Sequence, residues 1–182
     1  MGEYRLICIL GESAAGKTSV AERLMHDSKM KQIITYTTRP PREGEKDGID
    51  YHFVAQNLFA AMEKAGEFAE TGEYNNWKYG TASCDCIDNG ISVVTPSGFR
   101  KLKKNRNIKI ISFYLNVPRR DRLIKSLKTR DDIDECINRN LRDLGQFDGV
   151  EDEVDFVISN PSYTRSPDDI SKEILWLVGQ RK

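Results

Sequence analysis

The sequence has no surplus of charge, with Lys and Arg together equalling Asp and Glu at 28 each. No global field therefore draws it to nucleic acid or to an anionic membrane, and any anion it holds must be met by local clusters. No apolar run approaches the roughly 20 residues that span a bilayer. Only two histidines are present, His26 and His52, and four cysteines, Cys8, Cys84, Cys86 and Cys136. Their spacing is not that of a zinc ribbon, and unpaired thiols in a reducing cytoplasm account for them better than a metal or redox role for Cys84 and Cys86. The start, Met1-Gly2-Glu3-Tyr4-Arg5, does not read as a signal peptide. Leu6 stands where a myristoylation signal wants Ser or Thr. The expected setting is the cytoplasm, with no nucleic-acid or membrane partner, as a monomer or homodimer.

Repeats and low-complexity linkers are also lacking, so the 182 residues are expected to form one domain, an ordinary mixture of 38% hydrophobic and 31% charged residues. Residues 4–10, YRLICIL, read as a strand covered on both faces. A glycine-rich turn and a helix over Thr18–Met25 follow. Residues 36–54 are punctuated by Arg39, Pro40, Pro41, Arg42, Gly44, Asp47 and Gly48, which predicts a loop ending in a short strand, Tyr51–Val54. A short helix is predicted at Asn57–Lys64 and strands at Ile91–Thr95, Ile108–Val117 and Val154–Ser159. Arg119–Lys128 and Asp132–Leu144 carry helical periodicity. Ser166-Pro167-Asp168-Asp169 has the pattern of a capping box opening a last helix to about residue 178. Strands alternating with helices predict an α/β fold with a parallel sheet.

Gly11-Glu12-Ser13-Ala14-Ala15-Gly16-Lys17-Thr18 fits the phosphate-loop pattern GxxxxGK[ST] between a buried strand and a helix. Glycines let the backbone N–H groups converge on phosphate, and the following helix adds its dipole. Lys17 is suited to the β- and γ-phosphates, and the Thr18 hydroxyl to Mg²⁺. Residues 11–18 together with Ser19 are thus the candidate site for ATP as phosphoryl donor.

Residues 35–54 read TYTTRPPREGEKDGIDYHFV, and residues 68–81 read FAETGEYNNWKYGT. On Thr37-Thr38-Arg39, Pro41-Arg42, Gly44-Glu45, Gly48, Asp50-Tyr51, Phe53, Phe68, Glu70 and Tyr79-Gly80-Thr81, the chain resembles the guanylate kinase family. Val154–Asn160 is similar to the strand end that lies near the donor adenine in that family. The resemblance implies a P-loop three-layer α/β fold over residues 1–182, with a core of about 1–35, 82–124 and 141–182, a GMP-binding region of about 36–81 and a lid of about 125–140. It implies transfer of the γ-phosphoryl group of ATP to GMP or dGMP. Arg39 and Arg42 would grip the acceptor phosphate with help from Tyr51 and Tyr79, since a guanidinium fork matches two phosphate oxygens. Glu70 would accept from guanine N1–H and its amino group, with Thr35 and Thr81 also at the base. Asn160 would face the donor adenine.

Phosphoryl transfer asks for positioning and charge neutralisation. Lys17 would provide this on the donor side, Arg39 and Arg42 on the acceptor side, and Arg130 and Arg139 from the lid, with Arg122 and Arg142 behind them. Two departures from the family pattern stand out. Val93 and Thr95 occupy the positions of a D-x-D pair ahead of Gly98, and the lid reads Leu127-Lys128-Thr129-Arg130 in place of G-R-G. A lid arginine is also replaced by Asn140, with Arg139 one place earlier, a rotation of about 100° on a helix. A kinase for another nucleotide or a phosphorylated sugar, or a non-catalytic phosphopeptide-binding module of the same fold, are the alternatives.

Overall fold

Tyr4–Leu10 forms the first strand (β1), and Leu6 to Leu10 have almost no exposed surface, as an apolar run covered on both faces should. The computed structural model describes residues 4–74, 76–86, 88–106, 108–129 and 132–181. After β1 come α1 (Lys17–Asp27), β2 (Lys31–Gln32), β3 (Tyr36–Thr37), β4 (His52–Phe53), α2 (Gln56–Ala65), β5 (Phe68–Tyr74), β6 (Trp77–Ala82), β7 (Gly90–Val93) and α3 (Pro96–Leu102). The chain continues through β8 (Ile108–Asn116), α4 (Arg119–Thr129), α5 (Ile133–Arg142), α6 (Val150–Glu153), β9 (Phe156–Ser159) and α7 (Pro167–Gln180). One sheet has the strand order β2-β7-β1-β8-β9, in which β2–β7 and β8–β9 pair in parallel. This is the parallel central sheet of an α/β fold. A second sheet has the order β4-β3-β6-β5. The chain groups into two units, Met1–Ile7 with Lys31–Ile110, and Cys8–Met30 with Ile111–Lys182.

In the first unit, β5 and β6 run antiparallel with an irregularity between Phe68 and Glu70, and β3 pairs antiparallel with β6. The sequence pattern predicts no strands over 68–82 and places 36–37 inside a loop, and the structure differs at both. Gly72, Gly80 and the acidic residues of FAETGEY lower the strand signal there, and the pairing of the segments supplies what propensity does not. Phe59 of α2 is fully buried and stacks on Phe68 at 4.6 Å. This stack lies under Gly80, where a β-carbon would come within 2.9 Å of the Phe68 ring and 3.0 Å of the Phe59 ring. The helix α3 was also not read, since Pro96-Ser97-Gly98 is poor helix-forming sequence. It is started by Thr95, whose Oγ1 accepts from the Gly98 N–H at 3.2 Å, with proline in the first turn.

The second unit packs α1 against α7 through Val20, Ala21 and Leu24 on one side and Ile170, Ile174 and Val178 on the other. Arg23 and Asp168 add an ion pair of 2.7 Å. The capping box read from the sequence forms: Ser166 Oγ accepts from Asp169 N at 3.2 Å, and Asp169 Oδ2 accepts from Ser166 N at 3.0 Å. β8 and β9 carry a stacked pair, Phe113 and Phe156, with centroids 5.2 Å apart. The Asp155 carboxylate ties them further by accepting from the Ser112 N–H and hydroxyl at 2.8 and 2.7 Å. Among the described residues no helix is long and apolar enough to cross a membrane.

Gly80→Ala should lower unfolding stability by about 1–3 kcal/mol, because two stacked rings must move to admit one methyl group. Urea denaturation monitored by fluorescence checks this, and an unchanged midpoint would show that the stack yields freely.

Candidate active site

The first half of the candidate site is the loop between β1 and α1. Gly16 has φ of 93°, a left-handed conformation that glycine adopts without steric cost, and it turns the chain into α1. Ala14 is also left-handed at φ 65°. Its carbonyl accepts a 2.8 Å hydrogen bond from the Tyr163 hydroxyl, and Tyr163 and Ser162 themselves have φ of 52° and 53°. Non-glycine residues in this region are held there by their surroundings. The Lys17 ammonium folds back on the loop, donating to the carbonyls of Gly11 and Glu12 at 2.7 and 2.9 Å. Burial of this charge lowers its pKa from 10.5 to about 8, against the pull of Asp143 and Glu12, while the cations Arg139 and Arg122 push the same way as burial. Thr18 and Ser19 are exposed on the first turn of α1.

Two residues the sequence reading gave no leading role surround this loop. Arg122 is only 3% exposed. Its guanidinium donates to Glu12 Oε1 at 2.9 Å, to the Ser13 carbonyl at 3.3 Å and to the Val117 carbonyl at 3.0 Å. Asp143 Oδ2 accepts from the Ser13 N–H at 2.6 Å. Glu12 also accepts from the Tyr114 hydroxyl at 2.7 Å. Contacts between residues about 110 and 130 positions apart leave no local trace in the sequence, although buried arginine beside a loop carboxylate is a pattern the fold makes obvious.

Of the lid arginines, Arg139 is half-buried, and its charge is among those that lower the pKa of Lys17. Asn140 is buried, donating to the Cys136 carbonyl at 2.9 Å. Arg130 lies outside the described residues. Asn160 does not present a free amide: it donates to the Arg165 carbonyl at 3.0 Å and accepts from the Arg165 N–H at 2.9 Å. It shapes the 160–165 turn that carries Tyr163.

The second half lies in the four-stranded sheet and α3. Arg39 is buried, donating to Glu45 Oε1 at 2.9 Å and to the Pro40 carbonyl at 2.8 Å. Its guanidinium sits 5.3 Å from the Tyr51 ring centroid and 5.7 Å from that of Phe53. Burial would lower its pKa, but the hydrogen bond and charge of Glu45 outweigh this and leave it raised. Tyr51 and Tyr79 meet edge to face with centroids 6.1 Å apart, which brings Arg39, Tyr51 and Tyr79 into one cluster. Burial pushes the Tyr51 phenol above its ordinary pKa. Arg42 is exposed, and its backbone N–H donates to Glu45 Oε2 at 2.8 Å, so Glu45 joins the Arg39 guanidinium to the Arg42 main chain. That glutamate is inside the quoted motif, yet its role shows only in three dimensions.

Glu70 is 8% exposed, and its Oε1 accepts from the Thr81 hydroxyl at 2.9 Å. Burial raises its pKa, while the Thr81 hydrogen bonds and the Lys101 charge oppose the rise. Its other oxygen, Oε2, faces Gly98, where a β-carbon would stand only 3.1 Å away. The hydroxyls of Thr95 and Ser97 are 3.1 Å apart on the same turn. Thr95, at a position acidic in the family pattern, therefore serves as the cap that presents Gly98 to Glu70. Thr35 is half-buried just before β3, and its carbonyl accepts from His52 N at 3.0 Å.

The depressed pKa of Lys17 has a consequence for stability. Between about pH 8 and 10.5 the unfolded chain binds a proton that the folded chain does not, so this group makes stability rise with pH through that window. Lys17→Met should accordingly stabilise the unliganded protein at pH 7, on the order of 1 kcal/mol, and remove that rise. Thermal melts at pH 7 and pH 10 check it; a variant that melts lower at pH 7 would contradict it.

A family profile described as guanylate kinase matches residues 3–174. The guanylate kinase of Malacoplasma penetrans (strain HF-2) is 31% identical over 98% of this chain and 96% of its own length. That of Caulobacter vibrioides is 32% identical over 91% of this chain and 82% of its own. The crystal structure of guanylate kinase from Anaplasma phagocytophilum shares the fold, with a TM-score of 0.70 over 99% of this chain and 87% of that one at 21% identity. Matched by this profile over nearly its whole length and by relatives above 30% identity, this protein belongs to the guanylate kinase family.

Proposed function

We propose that this chain is an ATP-dependent nucleoside monophosphate kinase that transfers the γ-phosphoryl group of ATP to GMP, giving ADP and GDP, with dGMP as a second acceptor. The observation that carries the choice of acceptor is Glu70, a carboxylate 8% exposed whose Oε1 is taken by Thr81. A buried acceptor of this kind needs donors. Guanine offers an N1–H and an exocyclic amino group side by side, whereas the adenine edge has no such pair. The wrong base leaves the carboxylate unpaired, which discriminates more strongly than a change of shape.

Arg39 and Arg42 suit the GMP phosphate. Glu45 holds Arg39 in place before the substrate arrives, which lowers the cost of ordering it. Tyr51 and Tyr79 supply phenol donors beside it, and Thr35 lines the base side. On the donor side, residues 11–19 cradle the ATP phosphates, with Lys17 neutralising charge and Arg139, together with Arg130, closing from the lid at about 125–140. The turn shaped by Asn160 borders the adenine. In this reading residues of about 36–81 are the GMP-binding region, about 125–140 the lid, and about 1–35, 82–124 and 141–182 the core.

The residues fit Mg²⁺ that arrives with the nucleotide. The Thr18 hydroxyl is exposed and available as one ligand, and among the described residues no group of three His, Cys, Asp or Glu is placed to hold a metal unaided. Mg²⁺ usually binds through phosphates and retained waters plus one or two protein ligands. When bound it neutralises charge on the β- and γ-phosphates. The balanced charge, and cysteines that are reduced thiols at positions 8, 84, 86 and 136, suit a cytoplasmic enzyme working alone or as a homodimer.

A coupled assay with ATP and a panel of GMP, dGMP, AMP, UMP and CMP tests the reading. GMP should give the highest kcat/KM, and Glu70→Ala should lower it by at least about 2 kcal/mol in transition-state terms. Higher activity on AMP or UMP, or GMP kinetics unaltered in the variant, would rule the reading out.

A further inference from the structure

One carboxylate in the donor half stands where an incoming anion belongs. Asp143 caps the C-terminal end of α5 and is 8% exposed. Its Oδ2 accepts the Ser13 N–H at 2.6 Å and lies 3.8 Å from Nη1 of the buried Arg122. Backbone N–H groups of such a loop are the groups that cradle a nucleotide's phosphates. After burial, the Asp143 charge is also the largest influence on the Lys17 ammonium, which it stabilises. One side chain thus engages an N–H of the loop, a buried guanidinium and the field at the loop lysine, three features that suit a phosphate oxygen equally well.

A negative charge at a helix C-terminus opposes the dipole, so the position of Asp143 is stabilised by the loop and Arg122. Glu12 does not fill the same role, since its carboxylate is turned to Arg122 and Tyr114. A cavity of about 390 Å³ lined by Glu12, Tyr114, Arg122, Asn140 and Asp143 gives the side chain space to withdraw into.

We propose that Asp143 is a resident stand-in for the terminal phosphates of the donor, holding the phosphate loop and its cations in place until the nucleotide displaces it. The inference rests on residues 11–18 being the donor site. Its consequence is a coupling: α5, which carries Arg139, is tied to the loop through Asp143 in the unliganded protein and released when the donor binds. ATP then spends part of its binding free energy on displacing a carboxylate, and removing that carboxylate's charge should strengthen donor binding, the opposite of ordinary damage to a site.

The test is calorimetric titration of ATP and AMP, each with Mg²⁺, into the wild type and Asp143→Asn. ATP should bind the variant about 3- to 10-fold more tightly, because the competing anion is gone. AMP lacks the phosphates that Lys17 reaches and should bind both proteins alike, and the unliganded variant should melt at a lower temperature. ATP affinity that is equal or weaker in the variant, or a gain shared by AMP, overturns the stand-in while leaving the donor site intact. No ATP binding to the wild type overturns both. If the variant does not fold, the wild type decides: the Ser13 amide resonance should move on saturation with ATP and stay in place with AMP, and a Ser13 amide unmoved by ATP defeats the proposal.

Discussion

The ammonium of Lys17 donates to the carbonyls of Gly11 and Glu12, and the loop between β1 and α1 is closed around those two bonds. A buried cation of this kind has to be given partners, and the surrounding structure is arranged to give them. Asp143 and Glu12 supply negative charge. Arg122 then balances both carboxylates, and Tyr114 and Tyr163 fix the loop at Glu12 and Ala14. Burial still outweighs these partners and holds the Lys17 pKa below its ordinary value, so a more highly charged partner would stabilise the ammonium further. In the proposed reaction the phosphates of ATP are that partner.

The acceptor half follows the same logic with the sign reversed. Glu70 is a buried anion whose Oε1 has one side-chain donor, Thr81, and whose raised pKa reports the cost of its burial. Arg39 differs in being already paired with Glu45, which holds its guanidinium in one orientation. Pre-set geometry of this sort does most of the work in a reaction that asks the protein for little covalent chemistry.

What could be read from the sequence was what depends on neighbours along the chain. The phosphate loop declares itself because strand, glycines, lysine and helix are contiguous, and the capping box at Ser166 and Asp169 because both partners lie within four residues. The arginine loop and the Tyr79-Gly80-Thr81 run could be read as motifs, yet their fold as paired strands could not, since Gly72 and Gly80 weaken the signal and only cross-strand packing restores it. Thr95 shows the limit of motif reasoning. In the sequence it is a lost carboxylate, whereas in the structure it caps α3 and sets Gly98 against Glu70. The contacts of Arg122, which the sequence suggests only as a reserve lid arginine, and of Asp143 could not be read, because their partners at residues 12 and 13 are about 110 and 130 positions away.

The central claim is that the Glu70 carboxylate reads guanine through its adjacent N1–H and amino group. IMP keeps the N1–H, the ribose and the phosphate and lacks only the amino group. The account predicts that IMP is phosphorylated with a kcat/KM at least about 10-fold below that of GMP, the worth of one charge-assisted hydrogen bond at a buried site. IMP turned over as efficiently as GMP would contradict it.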